Sequence, residues 1–111
     1  MSASEEAGFA IRRSTIEAHY FVNGCFFTKD DQIISEVGRI SHIPAVIVAG
    51  RYDLVCPIVT AYELVKAWGP SAKLVVSPVA GHASIDNGNW NEIIQGIRDC
   101  LAFADLRITN M

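Results

Sequence analysis

No apolar run in this sequence approaches the ~18–20 residues that a helix needs to span a bilayer, so a membrane anchor of that kind is not expected. Basic charge is also short. Nine Lys and Arg stand against twelve Asp and Glu, a net charge of −3, which leaves no electrostatic footprint for nucleic acid. Cysteine is scarce and odd in number. Cys25, Cys56 and Cys100 are widely spaced and form no Cys-x-x-Cys pair, which speaks against both a disulfide framework and a zinc knuckle. Thiols in a reducing compartment are the expected state. His19, Cys25 and His82 follow no recognised ligand spacing, so no metal and no other cofactor is expected. The start, Met1-Ser2-Ala3-Ser4-Glu5-Glu6, is acidic where a signal peptide is basic and then apolar. The cytoplasm is the expected location.

What is present is the composition of a globular chain. Half of the residues are hydrophobic and 19% are charged, too apolar for a disordered segment. The length suits one small domain with a modest core.

The stretch from Ile43 through Val48 to Gly50 and Asp53 organises the rest. It is short, apolar and rich in β-branched residues, which fits a strand covered on both faces in a parallel sheet. Pro44 and Gly50 bracket it too closely for a buried helix. In such sheets catalytic groups gather beyond the carboxyl ends of strands, and Asp53 stands there. An Asp in that place can equally cap the next helix.

Residues 1–8 read as a frayed start. Ile11, Ile16 and Tyr20, interleaved with Arg12, Arg13 and Glu17, suit an amphipathic helix from about Phe9 to Asn23, stopped by Asn23-Gly24. Asp30 or Asp31 can cap a second helix with Ile33, Ile34, Val37 and Ile40 on its buried face. A third helix is expected from about Pro57 to Trp68, ended by Gly69-Pro70. A second strand runs from Lys73 to Ser77. A polar loop then spans Pro78 to Asn89, with Gly81 and Gly88 as flexible points. The last helix runs from about Trp90 to Leu106, its apolar positions being Trp90, Ile93, Ile94, Ile97, Leu101 and Ala104. The centre is therefore one βαβ unit with parallel strands. Two parallel strands expect neighbours and cover, and this chain has more apolar face than it can bury by itself.

His82 lies in Gly81-His82 directly after the second strand, 29 residues beyond Asp53. Adjacent strand ends lie ~5 Å apart, so an Asp and a His on consecutive loops can meet. A carboxylate on an imidazole Nδ1–H fixes the tautomer and stabilises the imidazolium, two-thirds of a nucleophilic triad. Asp before His, both after parallel strands, is the α/β-hydrolase order. No Gly-x-Ser-x-Gly occurs, and Ser84 is too near His82 in sequence to be its partner. The plainer alternative for His82 is a polar loop residue.

Glu17-Ala18-His19-Tyr20-Phe21-Val22-Asn23, Ile43-Pro44, Gly50-Arg51-Tyr52-Asp53 with Cys56-Pro57, Trp68 and Gly81-His82 together resemble the C-terminal part of the prolyl aminopeptidases. The resemblance implies an α/β-hydrolase-fold serine peptidase that removes N-terminal proline. Residues 1–40 would then be the end of a helical cap with a connecting helix, and 41–111 the C-terminal βαβα part of the core. Asp53 and His82 resemble the triad acid and base, Cys56 a thiol near the pocket. Glu17 resembles a carboxylate that receives the substrate's free amino group, since a buried ammonium needs such a partner. Its alternative is an exposed Arg13–Glu17 pair. Expected partners are peptides with N-terminal proline, together with the missing N-terminal portion, and copies of the chain itself. A binding module or inactive remnant that recruits a partner through its sheet edge is the alternative to an enzyme portion.

Overall fold

The computed structural model describes the backbone of residues 2–109 and the side chains of residues 2–103. Helix α1 (Ala3–Val22) leads into a short α2 (Gln32–Glu36), strand β1 (Ala45–Gly50), α3 (Ile58–Trp68), strand β2 (Ala72–Ser77) and α4 (Asn87–Thr109). The chain divides into two compact units, Met1–Gln32 and Ile33–Met111.

In the first unit α1 begins at Ala3 and not at Phe9. The physical reason is a capping box. The Glu5 N–H donates to Ser2 Oγ at 3.3 Å, and the Ser2 N–H donates to Glu5 Oε2 at 2.7 Å. Two helix-end donors are thereby satisfied, and the Ser2 N–H is the main cause holding the Glu5 carboxyl below its ordinary value. Residues 3–8 are helical rather than frayed. Asn23-Gly24 ends α1 as expected, and the turn continues left-handed through Gly24, Cys25 and Phe26, with φ of 56°, 52° and 60°. For the two residues that carry a Cβ this conformation costs about 1–2 kcal/mol each. Phe26 sets its ring against Tyr20 at 5.4 Å and His19 at 5.6 Å, contacts of the kind that offset such strain.

The second unit is a βαβ core followed by α4. β1 and β2 pair in parallel, in register from Ala45 opposite Ala72 to Gly50 opposite Ser77. The protein is thus a mixed helix and parallel-strand, α/β arrangement. α3 starts after Pro57, whose ring presets its own φ for a helix start. It stops at Gly69, whose φ of 91° a side chain would oppose. The Trp68 indole N–H donates to the Ile43 carbonyl at 3.0 Å, tying the end of α3 to the entry of β1.

α4 lies on β1. Gly96 permits that approach, because a Cβ there would stand 2.9 Å from Val46 Cγ1. The helix begins at Asn87, three residues before Trp90. Ala104 and Leu106 have side chains outside the described residues.

Burial corrects the sequence reading of the helix faces. Of the four apolar positions expected to be buried in and after α2, only Val37 is; Ile33, Ile34 and Ile40 are exposed. Trp90, Ile97 and Leu101 of α4 are likewise more than half exposed. Periodicity marks an apolar face, but only a neighbour buries it, and this sheet has two strands.

Candidate acid–base site

The register of the sheet sets the site. Gly50 and Ser77 end their strands side by side, so the segments that follow, 51–57 and 78–86, leave the same edge. Two main-chain bonds join them there: the Arg51 N–H donates to the Ser77 carbonyl at 2.9 Å, and the Tyr52 N–H to the Ala80 carbonyl at 3.0 Å. Gly50 makes this closeness possible. A Cβ at that position would lie 2.1 Å from the Gly81 carbonyl oxygen and 2.7 Å from that of Ala80.

Asp53 and His82 meet across this junction, Oδ2 to Nδ1 at 3.0 Å. The other carboxylate oxygen is occupied as well. Asp53 Oδ1 accepts from the Val55 N–H at 2.9 Å and the Cys56 N–H at 2.8 Å. α3 begins only at Ile58, so Asp53 caps its own loop and not the helix.

These bonds hold the Asp53 carboxyl below the ordinary aspartate range. The Cys56 N–H is the largest cause, desolvation opposes it, and His82 and the Val55 N–H add to the lowering. An ionised carboxylate only accepts, so His82 Nδ1 is the donor and carries the proton. Nε2 is left as the basic nitrogen of the neutral ring. The Asp53 side chain is 9% exposed and that of His82 is 49% exposed, so the acid is shielded while the ring opens outward. Such an arrangement can accept a proton at Nε2 and stabilise the resulting imidazolium through Nδ1.

Cys56 adds a third donor. One ligand atom from each of Asp53, Cys56 and His82 lies within 4.8 Å of the others, and oxygen, sulfur and nitrogen donors of this kind can serve a borderline-soft divalent ion. Two atoms of the set, Asp53 Oδ2 and His82 Nδ1, are already joined by a hydrogen bond at 3.0 Å. Both Asp53 oxygens also already accept from N–H groups. The set matches a shared proton better than a metal.

Glu17 stands exposed on α1, in the other compact unit. It borders a shallow apolar hollow with Phe9, Ile16 and Tyr20 among its lining residues. Among the described residues the ion pairs are Glu36–Arg39 and Asp53–His82, so the Arg13–Glu17 pair that the spacing offers is not made.

Two residues escaped the sequence reading. Asp86 Oδ2 accepts from the Gly81 N–H at 3.1 Å, and Asn89 Nδ2 donates to the Gly81 and Ala83 carbonyls at 2.9 and 3.0 Å. The stretch read as a polar loop with Gly81 as a flexible point is therefore held at His82. The available signal was a pair of amide- and acid-bearing residues in the turn that starts the last helix.

No family model matches the chain. Curated relatives do. The proline iminopeptidase of Xanthomonas citri is 45% identical over 95 residues, covering 86% of this chain and 30% of that protein. The probable proline iminopeptidase of Leptolyngbya boryana is 48% identical over 86 residues, 78% of this chain and 26% of that protein. That of Arabidopsis thaliana is 41% identical over 91 residues, 82% and 24% respectively. The chain thus spans 24–31% of the length of the relatives it matches. Identity of 40–48% over most of these residues makes the chain a relative of the proline iminopeptidases, corresponding to a C-terminal portion of such a protein.

Proposed function

We propose that this chain is the acid–base portion of a prolyl aminopeptidase, a serine exopeptidase of α/β-hydrolase fold that releases N-terminal proline from peptides. The observation that carries the reading is the 3.0 Å contact between His82 Nδ1 and an Asp53 carboxylate held ionised by two loop N–H groups. In this reading residues 1–40 close a helical cap and 41–111 complete the hydrolase core.

The chemistry follows from the proton's place. His82 Nε2 takes the proton of an attacking serine hydroxyl as its oxygen bonds to the scissile carbonyl carbon, and Asp53 stabilises the imidazolium. The same Nε2–H is then given to the leaving amine as the C–N bond breaks. Water repeats the cycle on the acyl-serine, freeing proline. The 111 residues carry no Gly-x-Ser-x-Gly, so the serine and its oxyanion hole come from sequence outside them. These residues by themselves are inactive. Glu17 receives the free α-ammonium of the substrate, which confines cleavage to an N-terminus.

The test is complementation. The chain is mixed with a separately made N-terminal portion of a related proline iminopeptidase, and release from a proline-anilide substrate is followed. Activity should appear only in the mixture and vanish with His82→Ala. Activity in the mixture that survives His82→Ala contradicts the reading. A second reading, a non-catalytic binding module, draws on the outer edges of the two strands, unpaired among the described residues. It would show as concentration-dependent association of the chain with no activity in any mixture.

A further inference from the structure

The backbone on either side of His82 is gripped by side chains that the proposed chemistry leaves without a task. Asn89 sits in the first turn of α4 and is 5% exposed. Its amide spends both N–H groups on the carbonyls of Gly81 and Ala83, the residues flanking His82. Asp86, just before α4, takes the Gly81 N–H. Three bonds thus fix the main chain immediately before and after the histidine.

The orientation of the Asn89 amide is forced. Turned over, it would aim its oxygen at two carbonyl oxygens. In the observed orientation Oδ1 is buried, without a hydrogen-bond partner among the described residues. The two donor bonds set which way the amide faces.

Below it the packing allows no slack. Ser77 is fully buried, and a Cβ at Gly88 would lie 2.3 Å from Ser77 Oγ. The turn carrying Asp86 and Asn89 therefore sits directly on the end of β2. On its other side the loop is stopped by Gly50. His82 is held between β1 and the head of α4.

We propose that Asn89, supported by Asp86, is the positioning residue that keeps the imidazole of His82 on Asp53. It touches no reacting atom. It acts by fixing the backbone from which the ring reaches Oδ2. The assignment rests on Asp53 and His82 being an acid–base pair, and its test separates the two claims.

The full 111-residue chain is labelled with 15N in its histidines and the ring nitrogens are read by NMR above the imidazole titration. The unaltered chain should show the Nδ1–H tautomer of His82. Asp53→Ala should lose it; retention there overturns the acid–base pairing itself. Asn89→Leu, close in volume but without donors, should lose the Nδ1–H tautomer although Asp53 is intact. Loss in Asp53→Ala with retention in a folded Asn89→Leu overturns the positioning role alone. Should Asn89→Leu give no cooperative unfolding transition, Asp86 supplies the reading. Asp86→Ala should loosen the tautomer and Asp86→Asn, which keeps an acceptor for the Gly81 N–H, should restore it. Identical tautomers in those two variants overturn the proposal.

Discussion

The carboxyl end of the two-stranded sheet and its flanks are built to different standards. At the end, Ser77, Ala80, Asn89 and Ala49 are all at or below 9% exposure, and the loops are stitched by main-chain and side-chain bonds. Along the flanks, Trp90 is 51%, Ile97 56% and Leu101 61% exposed. The difference teaches that the chain completes its own acid–base corner. The apolar positions along its flanks are left exposed among the described residues, as a sheet of two parallel strands leaves them.

Breaking the corner should have the largest consequence. In the complemented enzyme Asp53→Ala should lower kcat by about 10⁴, because the imidazole loses both its tautomer and its counter-charge. Steady-state turnover of the proline-anilide substrate measures this, and a loss below tenfold would leave Asp53 a merely structural residue. Gly50→Ala strikes the same corner through packing. Its Cβ meets main-chain carbonyls rather than yielding side chains, so unfolding in urea should show a loss of about 2–3 kcal/mol.

Leu101→Ala sharpens the contrast from the other side. In the chain by itself it should cost under ~1 kcal/mol, as partly exposed positions do. With the complementary portion bound the same change should rise toward the ~2–5 kcal/mol of a buried leucine. Equal costs in the two states would mean that this flank stays uncovered. Ser2→Ala, in the separate α1 unit, removes the capping box and should lower helix stability by about 1 kcal/mol, read as lost far-ultraviolet circular dichroism on warming.

The smallest effect is that of acid on Asp53. Its carboxyl titrates below the ordinary aspartate range when folded. The stability it contributes is therefore complete above that range and fades as pH falls through it toward the folded value. The difference in urea midpoint between the unaltered chain and Asp53→Asn should be constant near neutrality and shrink on acidification. A difference that grows in acid would reverse the sign and contradict the hydrogen-bonding seen at Oδ1 and Oδ2.

Much of this was legible because it is local. Apolar β-branched runs closed by Pro44, Gly50 and Gly69-Pro70 announce β1, α3 and the crossover between strands. Parallel pairing then turns a 29-residue separation into the contact of Asp53 with His82. The start of α1 was lost because apolar period was followed while Ser2-x-x-Glu5, a cap signal, lies ahead of the first apolar repeat. The exposure of Ile33, Ile34 and Ile40 was not legible at all. Burial is decided by what packs opposite, and one chain's pattern cannot name an absent neighbour. The presence of Asp86 and Asn89 in a turn was visible, but their task was hidden for a related reason: polar residues in a turn have no period, and what these two hold exists only once the chain folds back over Ser77.

The most direct test of the acid–base pairing is a double-mutant cycle on the complemented enzyme, with Asp53→Ala, His82→Ala and the two combined, scored by kcat/KM on a proline-anilide substrate. Residues that work as one unit are not additive. The expected result is that His82→Ala abolishes nearly all activity and that adding Asp53→Ala costs almost nothing more. Losses that multiply, each change acting in full on top of the other, would contradict the pairing on which the account stands.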